Sequence, residues 1–214
     1  LPVARLTEDE MRAITKKISR IDPAFAPIIK KSPLCNIAIK KYKRTHFETL
    51  INSILSQQLA TKAADTIIKR VSELVNGSME PNTILQISDT HFRAAGVSGA
   101  KTRTIKELAL AINEKRVNFH KYPKFSNSEI SVELTQIWGI GRWTSEMFLM
   151  FHLGRLDVWP VGDLAMRRGW ENLHRMRTEI DPKKLDKIGS KFEGFQSVVA
   201  WYCWRATEGE NSTW

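Results

Sequence analysis

The sequence has little of what several protein classes depend on. Only two cysteines, Cys35 and Cys203, occur in 214 residues. That count does not support a disulfide-built fold, and it leaves no cluster to ligate zinc or an iron–sulfur centre. The longest apolar run, Val198 to Trp204, is far short of the roughly 18 residues that a membrane-spanning helix needs. Glycine and proline number 11 and 8, too few for a collagen-like or low-complexity chain. Strict apolar–polar alternation is nearly absent, so no sheet is expected. No signal-peptide pattern opens the chain. The expectation is a soluble protein of a reducing compartment, without a membrane partner.

What is present points to a helical core and an acidic partner. Hydrophobic residues make up 42 %, enough for a sizeable core at this length. Lys and Arg number 33 against 23 Asp and Glu, a net charge of 33 − 23 = +10, with a pI near 9.7. Excess positive charge favours nucleic acid as the partner, although many soluble proteins are basic without one. Thr7-Glu8-Asp9-Glu10 and Thr45-His46-Phe47-Glu48 read as capping boxes, each followed by apolar residues at helical spacing. Ala60 to Val75 repeats that spacing and stops at Asn76-Gly77. Ser98 is placed to cap a helix holding Ile105, Leu108, Ala109 and Ile112. Ser128–Ile137, Trp143–Leu153, the stretch from Asp163, Pro182–Ile188 and Gln196–Arg205 complete an all-α reading. The segment after Ile112, through Phe125, is expected to be a long loop. All seven Trp lie between 138 and 214, material for an aromatic-lined site or for a Trp-rich core.

Two features carry candidate chemistry. Gly139-Ile140-Gly141 joins two helical patterns, and the second helix then opens with unpaired amides. Glycine lets a backbone approach a phosphate without a Cβ in the way, and the amides with the helix dipole favour an anion. Arg142 adds charge there. Gly-x-Gly also begins dinucleotide-binding turns, but position 144 is Thr and no strand precedes the motif. A tight interhelical turn without a ligand is the plain alternative. Asp163, after the Pro- and Gly-containing loop Asp157–Gly162, heads a new helix. It is a natural N-cap, and that position also favours the ionised carboxylate that could stabilise a cation or orient a water.

Ile137-x-Gly-Ile-Gly-Arg-Trp-Thr, with Asp163 twenty residues past Trp143, resembles the helix-hairpin-helix superfamily of DNA base-excision glycosylases. Together with Ser53-Ile-Leu-Ser-Gln-Gln-Leu-Ala-Thr61, the pattern is most similar to the 3-methyladenine branch, in its small fungal form. The resemblance covers about 20–206. It implies a two-lobed all-α fold with DNA across the cleft. Residues 45–158 would form a helical barrel lobe carrying the hairpin, and 1–44 plus 159–214 a discontinuous second lobe. Asp163 takes the catalytic position. Gly139, Ile140, Gly141, Arg142 and Thr144 hold DNA, the hairpin often through a bound monovalent cation, Na+ or K+; no other cofactor is implied. Gln57, Gln58 and Leu59 form the loop that fills the gap left by the flipped nucleotide, with Gln58 favoured as plug and Leu59 as wedge. Ser98 and Lys101 mark a second backbone-contact turn. The partner is duplex DNA with an alkylated base or an abasic site, met by a monomer. The small fungal form implies a nuclear location if the cell is eukaryotic.

The same resemblance shapes the expected reaction. Trp143 stands where relatives with strand-cleaving lyase activity carry a lysine, and an indole forms no Schiff base, so a monofunctional enzyme is implied. Alkylated purines are already cationic leaving groups. They need an aromatic stacking pocket, for which Trp143 and Trp159 are the candidates at about 0.5–2 kcal/mol for each cation–π contact, with Met147 as a further pocket residue. Three places depart from the family pattern. Gly194-Phe195-Gln196-Ser197 replaces a Pro-aromatic-Arg-Ser start, Met147 replaces an aromatic, and Trp138 replaces a Pro. They open a second reading, a weak or inactive homologue that binds abasic or distorted DNA.

Overall fold

The computed structural model describes residues 5–39 and 43–207. Every regular element among them is helical: α1 (Glu8–Ile21), α2 (Ala26–Lys31), α3 (His46–Ser56), α4 (Thr61–Leu74), α5 (Pro81–Gln86), α6 (Asp89–Ala94), α7 (Gly99–Asn113), α8 (Asn127–Thr135), α9 (Arg142–Met147), α10 (Leu164–Leu173), α11 (Pro182–Gly189) and α12 (Gln196–Arg205). The all-α expectation therefore holds. None of these helices is long and apolar enough to cross a membrane.

The chain separates into two compact units. One comprises residues 43–148, α3 to α9; the other comprises 5–39 and 149–207. From the sequence the second boundary was expected at 158, whereas here 149–158 groups with α10–α12. Ser197 explains this. Its hydroxyl donates to Arg155 O (2.8 Å) and accepts from Val158 N–H (3.1 Å), tying the segment to α12.

In the first unit α3 buries Phe47, Leu50, Ile51, Ile54 and Leu55, the one-face spacing of an amphipathic helix. Each such burial contributes about 1.5–3 kcal/mol before entropy is counted. α3 packs on α4 and α7, and α5 also packs on α7. Thr45 caps α3 by accepting from Glu48 N–H, but Glu48 pairs with Arg44 at 3.6 Å instead of closing a full capping box. Complete boxes occur at Thr7–Glu10 and at Ser126–Glu129, the latter not expected. The expected loop before α8 contains a 3₁₀ turn, Phe119–Lys121, whose Phe119 packs with Tyr122 and His46, and both of those rings pack on Phe148. Burial and the nearby His120 lower the pKa of His46.

The second unit is built on an aromatic core. Phe25, Trp170 and Phe192 meet at centroid distances of 5.7–6.2 Å, and His174 stacks on Trp170 at 4.1 Å. α10 presses directly on α12 at Gly169, where any Cβ would run into the Cys203 carbonyl. Both cysteines are buried free thiols, and burial pushes Cys35 up to about 12.

Candidate functional site

The hairpin lies in the first unit. α8 ends at Thr135, and Ile137 N–H and Ile140 N–H close successive turns onto Leu134 O (3.1 Å) and Ile137 O (3.0 Å). Gly139 has φ +85°, the left-handed region that favours glycine. A Cβ on it would also overlap the Thr104 hydroxyl of α7, so the position is fixed by packing as well as by backbone conformation. Gly141 is different: it is the N-cap of α9, and a Cβ there meets nothing within 4 Å. No side chain caps α9, so no side-chain acceptor takes its first amides.

The side chains around that turn mostly build it. Ile140 is 3 % exposed, so only its backbone can serve a ligand. Thr144 is buried, and its hydroxyl accepts from Gln57 Nε2 at 3.1 Å. Arg142 remains largely exposed while its Nε donates to Glu146 (2.8 Å). Trp143 is 48 % exposed on the first turn, and Met147, half-buried, ends α9.

The loop after α3 meets the hairpin. Gln57, expected to face DNA, turns inward: its amide reaches Thr144 and, at 3.5 Å, the Gly139 carbonyl. Lys101 also departs from expectation. Its ammonium does not project as a free phosphate contact; it donates to Leu55 O (2.7 Å) and Gln57 O (2.8 Å), the open carbonyls at the end of α3. Burial pulls its pKa below the ordinary lysine value. Ser98 caps α7 and thereby sets the turn that delivers Lys101. Held from both sides, the loop presents Gln58, exposed with φ +56°, and Leu59, 39 % exposed.

Asp163 lies in the second unit, N-capping α10. Its Oδ1 accepts from Met166 N–H at 2.7 Å and from the Trp204 indole N–H at 2.9 Å. Trp204 lies on α12, with its ring 5.8 Å from Phe151. Nothing in the sequence paired Asp163 with Trp204 across 41 residues; only the α10–α12 packing does so. Trp159, expected as a pocket wall, belongs to the core instead. It is 9 % exposed, its indole N–H donates to Leu185 O (3.0 Å), and its ring lies against Gly189. The departure at 194–197 is likewise structural. Gln196 Oε1 accepts from Gly194 N–H, Phe195 is buried, and Ser197 holds the approach to Asp163.

The chain that carries these two arrangements has relatives among known proteins. Residues 51–193 match the HhH-GPD superfamily, described as base excision DNA repair proteins. The chain is 37 % identical over 170 residues to DNA-3-methyladenine glycosylase 1 of Schizosaccharomyces pombe, covering 78 % of this chain and 74 % of the relative. A DNA-3-methyladenine glycosidase from Bacillus halodurans has a similar structure (TM-score 0.80, 35 % identity, 91 % and 88 % of the two chains). So does the S. pombe glycosylase Mag1, solved with abasic DNA (TM-score 0.76, 30 % identity, 94 % and 100 %).

Proposed function

The chain belongs to the HhH-GPD superfamily of base excision DNA repair proteins, and from that premise we propose that it is a monofunctional alkylpurine DNA glycosylase. It would flip a 3-methyladenine-type lesion from duplex DNA and hydrolyse the N-glycosidic bond. The observation that carries the reading is the Asp163 carboxylate, held by the Met166 amide and the Trp204 indole. Two fixed donors on one oxygen set the direction of the carboxylate before substrate arrives. As the bond to a cationic base breaks, positive charge develops on the sugar. The carboxylate stabilises that charge and orients the water that attacks it.

The remaining roles follow from the geometry of each unit. Gln58 and Leu59, on a loop fixed by Lys101 and Gln57, fill the gap in the stack. The amides opening α9, with Gly141 allowing close approach, receive a backbone phosphate. A monovalent cation fits there too. The hairpin offers neutral carbonyls, and Gly139 O, reached by Gln57 only at 3.5 Å, retains capacity for one; a cation held there would supply positive charge for a backbone phosphate. Trp143 offers an aromatic face for a cationic purine, and Trp204 with Phe151 replaces Trp159 as the aromatic group beside the carboxylate. Position 143, where the resemblance implies a lysine in relatives with lyase activity, is an indole, which forms no Schiff base. The protein acts as a monomer on DNA with an alkylated base or abasic site, in the nucleus where the cell is eukaryotic.

The test is release of 3-methyladenine and 7-methylguanine from an alkylated duplex. The expected result is free base with strands intact until heated in alkali. Strand nicking with a borohydride-trapped adduct overturns the monofunctional assignment. Tight abasic-duplex binding without release selects the inactive binder.

A further inference from the structure

Beside the hairpin, in the same unit, lies an arginine with no role so far. Arg103 is on α7, and its guanidinium carbon sits 4.2 Å from the centroid of the Trp138 ring. Trp138 immediately precedes Gly139 and is 45 % exposed. The neighbour of Arg103 on α7 is Thr104, the side chain against which Gly139 rests, so the pair is anchored to the hairpin's own packing contact. The other cations here are engaged: Arg142 by Glu146, Lys101 by two carbonyls. Among the described residues, no carboxylate pairs with Arg103.

Stacking on an indole fixes the plane of a guanidinium and leaves its N–H edge free. An edge so held matches two oxygens of one phosphate, and little side-chain freedom is left to lose on binding. We propose that Arg103, held flat by Trp138, grips a DNA backbone phosphodiester next to the hairpin. The inference rests on the reading of this chain as a duplex-binding glycosylase and adds a contact to it. Trp138 is then a positioning residue, acting through Arg103.

The experiment measures the affinity of the full chain for an abasic-site duplex across a salt series. Arg103→Met is expected to weaken binding about ten-fold and to make the log–log salt slope shallower by about one, the signature of one lost phosphate contact. Trp138→Leu alone should weaken binding about three-fold, and should have no further effect in the Arg103→Met background. Arg103→Lys should keep most of the slope while losing affinity; if Arg103→Met does not fold, Arg103→Gln supplies the slope comparison. An unchanged slope for Arg103→Met, or independent addition of the two substitutions, overturns the clamp while leaving the glycosylase reading intact. Failure of the unmutated chain to bind any duplex overturns that reading, and this contact with it.

Discussion

Around the hairpin the proposed phosphate contacts come chiefly from backbone amides on a packed turn, whereas at Asp163 the working group is one side chain, held by a backbone amide and a second side chain. The first unit sets its turn with a left-handed Gly139 against Thr104, and fixes the neighbouring loop through Lys101 and Gln57. The second unit sets one carboxylate oxygen with a helix amide and an indole from another helix. The difference implies a division of labour. Backbone contacts grip any sequence, since phosphates are the same everywhere. A positioned carboxylate acts on one bond. Substitutions in the two units should therefore separate affinity from rate.

The largest expected effect is on rate. Asp163→Asn keeps a side-chain oxygen for Met166 and Trp204 and still caps α10, so it removes the charge and little else. Single-turnover base release should fall by about a thousand-fold. Trp204→Phe keeps an aromatic ring near Phe151 but removes the N–H that fixes Asp163. A fall of about ten-fold in release, with unchanged affinity for an abasic duplex, is expected from losing one hydrogen bond to a charged group. An equal loss of affinity would show that Trp204 shapes DNA contact instead.

The hairpin glycines separate folding from binding. Gly139→Ala should destabilise the protein by about 2 kcal/mol or more, because φ and Thr104 both oppose a Cβ. Gly141→Ala meets no protein atom, so melting should shift little, while affinity drops alike for every duplex. Equal melting temperatures for the two variants would break the distinction. The smallest effect concerns His46. Its folded pKa lies below the ordinary 6.5, so the unfolded chain takes up a proton first. Stability from this group is complete above that value and is lost as pH falls below it. Protection factors of the α3 amides should fall between pH 7 and pH 5 by less in His46→Phe than in the unmutated protein.

The same contrast explains what the sequence revealed. Turns made by glycine and caps made by Thr, Ser and Asp are local, so Gly139-Ile140-Gly141, Thr7 and Asp163 were legible from residue type and spacing. Helical period exposed the apolar faces of α1, α3, α4 and α7, whereas the six-residue α5 and α6 were too short to show one. Contacts set by packing were not legible. Lys101 and Gln57 are polar residues at positions that read as exposed, and only the tertiary fold gives them carbonyl and hydroxyl partners. Trp159 stands in a Pro-containing loop and Trp204 in an apolar helix, and only tertiary packing sends the first to the core and the second to Asp163.

The most direct test of separable roles is the affinity of Asp163→Asn for an abasic-site duplex, measured on the same preparation that shows the loss of base release. The account predicts a dissociation constant within about three-fold of the unmutated protein, since the grip lies in the other unit and the cap survives. A loss of affinity parallel to the loss of rate would mean that Asp163 acts by holding DNA or the fold, and would contradict its assignment to the chemistry.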